Sequence, residues 1–177
     1  MKRVLTALLA LALTAQPALA ESESFAVRGG ITWGMTVQEV LDAEDGSRAE
    51  AEREAGFDVL ELDDVELYGF VGDLEYFFSA DALAACVCEY EAKSSGADFP
   101  SLEQALTDDY GAPLESDVER WNLLEDILDG EMENRRADRF SSWQLEDGTL
   151  VALVEDQEDG ELRLGFYDEM RLVEGLL

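Results

Sequence analysis

Ile31-Thr32-Trp33-Gly34-Met35-Thr36-Val37-Gln38-Glu39-Val40 reads as the end of a strand, a glycine turn and a capped helix start. Thr36 and Glu39 have the spacing of a capping box. The Thr36 hydroxyl is placed to accept from the Glu39 N–H while the Glu39 carboxylate reaches back to the Thr36 N–H. Met35 and Val40 flank the box at the two positions of a hydrophobic staple. Gly34 permits a turn through positive φ between Trp33 and the helix. Trp33 and Met35 are expected to plug that helix onto a sheet, with the Trp33 indole N–H needing one partner.

Beyond this helix the charged stretch 47–55 suits either a helical turn or a loop, and then the apolar period switches to two. Residues 57–62, 65–70, 73–79 and 83–91 read as strands divided by acidic or glycine-containing turns, and 93–98 as a linker. A second helix is expected to start at Ser101, with Gln104 completing another capping box. Its inner face is Leu102, Ala105 and Leu106, and it ends at Gly111 ahead of Pro113. Ser116 and Glu119 form a third capping box before Val118, Trp121, Leu124 and Leu128, with Gly130 as the stop. Strands follow over 139–145, 149–155 and 161–167, the first two joined by a two-residue type I′ turn at Asp147-Gly148. The tail to Leu177 reads as a short helix. Strands joined by short turns must run antiparallel, so the expected class is α+β: a sheet of about six to seven strands with helices packed on one face. Residues 31–93 and 99–167 each run from helix to strands, as two degenerate halves of one domain spanning 21–177.

The Trp-Gly-Met-Thr-x-x-Glu-Val opening resembles that of small exported bacterial proteins with the β-lactamase-inhibitor-protein-like fold. It is also similar to the Gly-Met-Thr helix start of small outer-membrane assembly lipoproteins. Later echoes are Leu74-Glu75-Tyr76-Phe77-Phe78, Tyr110-Gly111-Ala112-Pro113 and Trp143. The resemblance covers about residues 31–167, and its motifs concern helix starts and turns. It implies a broad antiparallel sheet face used to cover another protein, and no catalytic residues. A lipobox cysteine is absent, so a lipoprotein role is not implied.

Residues 1–20 have the form of a signal peptide: Lys2 and Arg3, an apolar run from Val4 to Leu13, and Ala18-Leu19-Ala20 before Glu21. The apolar run falls well short of the ~20 residues of a membrane span. The expected location is periplasmic or secreted, with no stable membrane insertion after the leader is removed. Without Lys2 and Arg3 the charge balance is 10 basic against 42 acidic residues, or −32. Such a surface repels nucleic acid and anionic membranes, and suits a cationic partner or a saline medium. A 47% apolar composition is ample for a core.

The chain has no histidine, which removes Ser-His and Cys-His nucleophile pairs and imidazole metal ligation. No Gly-x-Ser-x-Gly elbow, P-loop or dinucleotide fingerprint is present. Asp58, Glu61, Asp63 and Asp64, and separately Asp156 to Glu161, are oxygen-rich turns that lack the ligand order of an EF-hand loop. Cys86 and Cys88 occupy i and i+2 of a strand, with Cα atoms roughly 6.6 Å apart, near the upper limit for a disulfide. Buried thiols and a Cys86–Cys88 bridge both stay open, and an oxidising compartment favours the bridge if the thiols are reachable. The reading that results is a monomeric, non-enzymatic, cofactor-free module of the bacterial envelope that binds an unidentified protein partner. Tyr68, Tyr76 and Tyr90 are the candidate contact residues on its strands. The alternatives are an acidic structural protein stabilised by calcium or salt, and a carboxylate-dependent hydrolase.

Overall fold

Alternation of side chains along the strands decides which residues meet which helix. The computed structural model describes residues 25–44, 51–91, 97–114, 118–130, 137–156 and 160–174. The leader and the Ser116 capping box therefore lie outside the described residues. The strands are β1 (Glu52–Glu54), β2 (Phe57–Leu67), β3 (Phe70–Ser79), β4 (Ala82–Glu91), β5 (Arg139–Gln144), β6 (Leu150–Asp156) and β7 (Glu161–Tyr167). The helices are α1 (Val37–Ala43), α2 (Asp98–Tyr110), α3 (Val118–Asp129) and α4 (Glu169–Glu174). All seven strands form one sheet in the order β1-β2-β3-β4-β7-β6-β5, and every neighbouring pair is antiparallel. The chain is thus α+β. No helix of the described residues is long and apolar enough to cross a membrane.

The opening stretch folds as its residues dictate. Thr36 caps α1, the Glu39 N–H donating to its Oγ1 at 3.3 Å and the Thr36 N–H donating to Glu39 Oε2 at 2.8 Å. Gly34 turns at φ +83°, and the following loop pairs with the start of β4, the Leu83 N–H donating to the Met35 carbonyl at 2.8 Å. The Trp33 indole finds its partner in Thr149 Oγ1 at 2.7 Å.

Three hairpins close on two residues, and one of these turns, Tyr68-Gly69, falls inside the strand expected over 65–70. Ala55-Gly56, Tyr68-Gly69 and Ala80-Asp81 each have both residues at positive φ and each join strands directly, as type I′ turns. Asp63-Asp64, expected as a turn, is instead a bulge inside β2: both residues stand opposite Asp73, and Leu62 and Val65 consequently face the same way. The Asp147-Gly148 hairpin is a three-residue loop. Gly148 alone takes positive φ, its N–H donates to the Leu145 carbonyl at 3.1 Å, and the Leu145 N–H donates to the Thr149 carbonyl at 2.9 Å. Residues 52–54, within the stretch that suited a helical turn or a loop, form an edge strand. Helix α2 starts at Asp98, before Ser101, whose hydroxyl donates back to the Ala97 carbonyl at 2.9 Å; no second capping box forms.

The helices cover both faces of the sheet, correcting the one-face expectation. On one face, Val40 of α1 and Phe99, Leu102 and Leu106 of α2 pack on Leu60, Tyr76, Cys86, Leu153 and Leu164 and their neighbours. On the other, Trp121, Leu124 and Leu128 of α3 and Leu172 of α4 pack on Phe57, Phe77, Val87, Ala152 and Tyr167. Trp143 ties the first layer together, its indole donating to the Gly111 carbonyl at the end of α2 at 2.9 Å.

Candidate protein-interaction surface

The expected aromatic contact surface does not stand open. Tyr76 is fully buried and Tyr90 is 3% exposed. Both occupy even positions of β3 and β4, which face α1 and α2. The Tyr76 hydroxyl donates to Glu44 Oε1 at 2.6 Å, and Glu44 in turn pairs with Arg28 at 3.2 Å. Tyr90 lies edge-on to Phe70, and its ring rests where a side chain on Gly72 would stand. Tyr68 sits in the hairpin turn after β2, half-buried, and shares a 2.7 Å hydrogen bond with the Tyr110 hydroxyl of α2. Burial raises the pKa of all three phenols above the ordinary tyrosine range.

Cys86 and Cys88 follow the same even parity into the same layer as free thiols. Burial pushes the Cys86 thiol well up and the Cys88 thiol to about 11, so neither is a ready nucleophile. The first acidic cluster does not converge either: Asp58 and Glu61 sit on opposite faces of β2, and Asp58 pairs with Arg53 at 2.9 Å. In the second, Asp156 and Glu161 are cross-strand partners, while 157–159 lie outside the described residues. Among the described residues no group of three or more Asp, Glu or Cys is arranged to hold a metal ion.

Odd positions under α3 and α4 are apolar, and those beyond the helices carry charge. On the α3 side, beyond the helix, the sheet presents Glu61 on β2, Asp73 and Glu75 on β3, Glu89 on β4 and Arg163 on β7. Glu61 stands directly opposite Glu75, and Asp73 directly opposite Glu89. Like charges so placed repel. Asp73 is held by the bulge, the Asp64 N–H donating to its carboxylate at 3.3 Å. Val71, 56% exposed, adds an apolar position to the same end of the face.

Arg163 is the cation built into this end of the sheet. It donates to Glu89, its cross-strand partner, and to Glu125 of α3. Glu125 is 2% exposed and also accepts from the Tyr167 hydroxyl at 2.5 Å. Tyr167 folds back over Gly165, where any side chain would collide with its hydroxyl. Burial alone would lower the Arg163 pKa; Glu125 and Glu89 outweigh it and raise it. Glu75 has no such partner among its direct cross-strand neighbours. Burial first, then repulsion from Glu89 and Glu61, pushes its carboxyl up to about 7, against the opposing pull of Arg163.

On β3 and β4 the odd positions Asp73, Glu75 and Glu89 are acidic while Tyr76, Phe78, Cys86, Cys88 and Tyr90 take even ones, but odd-numbered Phe77 and even-numbered Asp58 and Glu66 break the pattern, so the surface emerges only once the strands are paired. Set beside models of protein families, characterised proteins and solved structures, the chain matches none of them.

Proposed function

We propose that this is an exported, non-catalytic binding module that engages a basic protein in the bacterial envelope or outside the cell. The observation that carries the proposal is the pairing of like charges, Glu61 with Glu75 and Asp73 with Glu89, across an open part of the sheet. Cross-strand repulsion weakens a fold by a few tenths to about 1 kcal/mol per pair. A cationic partner converts that repulsion into attraction and gains a fast, steered encounter. The signal-peptide pattern at residues 1–20 supports a periplasmic or secreted location, and the charge of the chain favours a monomer.

The resemblance to inhibitor-type exported proteins supports the same use of the sheet. Two meanders, β1 to β4 and β5 to β7, meet antiparallel at β4 and β7, with α1 and α2 on one common face. Such an arrangement suits two degenerate halves related by an axis perpendicular to the sheet.

The test is capture from native envelope extract by the wild-type protein and by a Glu61→Lys/Asp73→Lys variant of matched melting temperature. A basic protein held by the wild type and lost by the variant is expected. Wild-type capture of nothing above control overturns the proposal.

A further inference from the structure

Helices α3 and α4 cover the same face of the sheet and are tied by the Arg120–Glu169 ion pair. Helix α3 starts beside β5, where Trp121 meets Phe140, passes over β7 at Glu125, and ends with Gly130 against Ala55 near β1. Helix α4 leaves β7 and packs on β4 and β3, so it travels in the same direction. Arg120 pins the two starts together, its Nε donating to Glu169 Oε1 at 2.5 Å and its Nη2 to Glu169 Oε2.

One turn beyond this pin the flanking side chains become apolar. Leu123 follows Arg120 by one turn of α3, and Val173 follows Glu169 by one turn of α4. Leu123 is 57% exposed, Val173 49% and Met170 74%. Half-buried Ile127 continues the row on α3. Single exposed apolar residues are ordinary, but a row shared by two neighbouring helices has the form of a contact site.

The rim decides the occupant. Exposed Glu119 and Glu174 border the seam, while Arg120 and Arg171 are already engaged by Glu169 and Asp168. A second copy of a chain carrying −30 is repelled, as is an anionic lipid surface. An apolar row within an acidic rim fits a cationic amphipathic helix, its apolar face in the seam and its lysines or arginines over the rim.

We infer that the α3–α4 seam, centred on Leu123, Met170 and Val173, docks a cationic amphipathic helix of a protein partner. This rests on the proposed binding of a basic protein and adds the second contact, on the other side of α3 from the acidic end of the sheet. The test uses two synthetic probes of equal positive charge: an 18-residue peptide with lysine and leucine at amphipathic helical spacing, and its counterpart with serine for leucine. Affinities are read by fluorescence anisotropy at low salt, and contacts by backbone amide shifts of the chain from residue 21 to residue 177. The leucine peptide is expected to shift amides of α3 and α4. It should bind at least tenfold more weakly to a Leu123→Glu/Met170→Glu variant of unchanged melting temperature, while the serine peptide binds both proteins alike. Equal binding of the two peptides, mapped to β2 to β4 and indifferent to the variant, overturns the seam and leaves the acidic sheet as the binding surface. Binding of neither peptide overturns both. A concentration-dependent doubling of mass abolished by the variant overturns the choice of occupant.

Discussion

Replacing Glu75 by Gln removes the most strained charge on the sheet while keeping its size. In the folded chain the Glu75 carboxyl titrates at about 7 against an ordinary value of 4.5. The fold therefore holds the protonated form more tightly than the unfolded chain does. Between pH 4.5 and about 7 the folded state carries the extra proton, so wild-type stability falls as pH rises through that window and levels off above it. The difference corresponds to at most ~3 kcal/mol, and solvent screening around a half-buried carboxyl reduces it to roughly 1–2 kcal/mol. Glu75→Gln should thus be more stable than wild type by that amount at pH 8, about 3–6 °C in melting temperature for a chain of this size. At pH 4 the two should be equal. Urea unfolding of both proteins at the two pH values measures the difference. A variant less stable than wild type at pH 8, or an equal difference at both pH values, would refute the argument that burial, with Glu89 and Glu61 beside it, raises the Glu75 carboxyl.

Other outcomes follow from the same layers. Glu125→Ala leaves Arg163 and the Tyr167 hydroxyl without their buried acceptor and should cost about 3–5 kcal/mol, whereas a Glu125→Met/Arg163→Met pair should cost far less; urea melts of the two variants separate these cases. Cys86 and Cys88, buried as free thiols, should resist alkylation in the native protein and react fully on unfolding, as mass spectrometry would report; a native mass two hydrogen atoms short would show the bridge instead. Thermal stability should rise with sodium chloride, since screening over a Debye length of ~8 Å at physiological strength relieves self-repulsion. A much larger gain from calcium at matched ionic strength would favour the calcium-stabilised alternative.

The parts of the fold that were legible are those decided within a few residues. The Thr36–Glu39 box closes over one helical turn, and the spacing of Trp121, Leu124 and Leu128 needs only one apolar face. The same spacing at Ser101 misleads, because Phe99 is buried against the sheet and the chain is already helical from Asp98. The two covered faces were also written in the sequence. Leu150-Val151-Ala152-Leu153-Val154 is buried throughout, and Phe77 and Phe78 are buried side by side, which a sheet with one wet face does not tolerate. Tyr76 and Tyr90 suggest exposed anchors by residue type, yet their parity with Cys86 and Cys88 sends them under the helices. The acidic surface depends on which strands pair and in what register, and the Asp63-Asp64 bulge resets that register halfway along β2. Neither follows from local pattern.

In the proposed function the acidic end of the sheet meets another protein. Site-specific photo-crosslinking in exporting cells tests it most directly. A crosslinking residue at position 61, on the acidic end of the sheet, is compared with one at position 104, on the exposed side of α2. One dominant adduct with a basic protein is expected from position 61 and none from position 104. No adduct at position 61, or the same adducts from both positions, would contradict it.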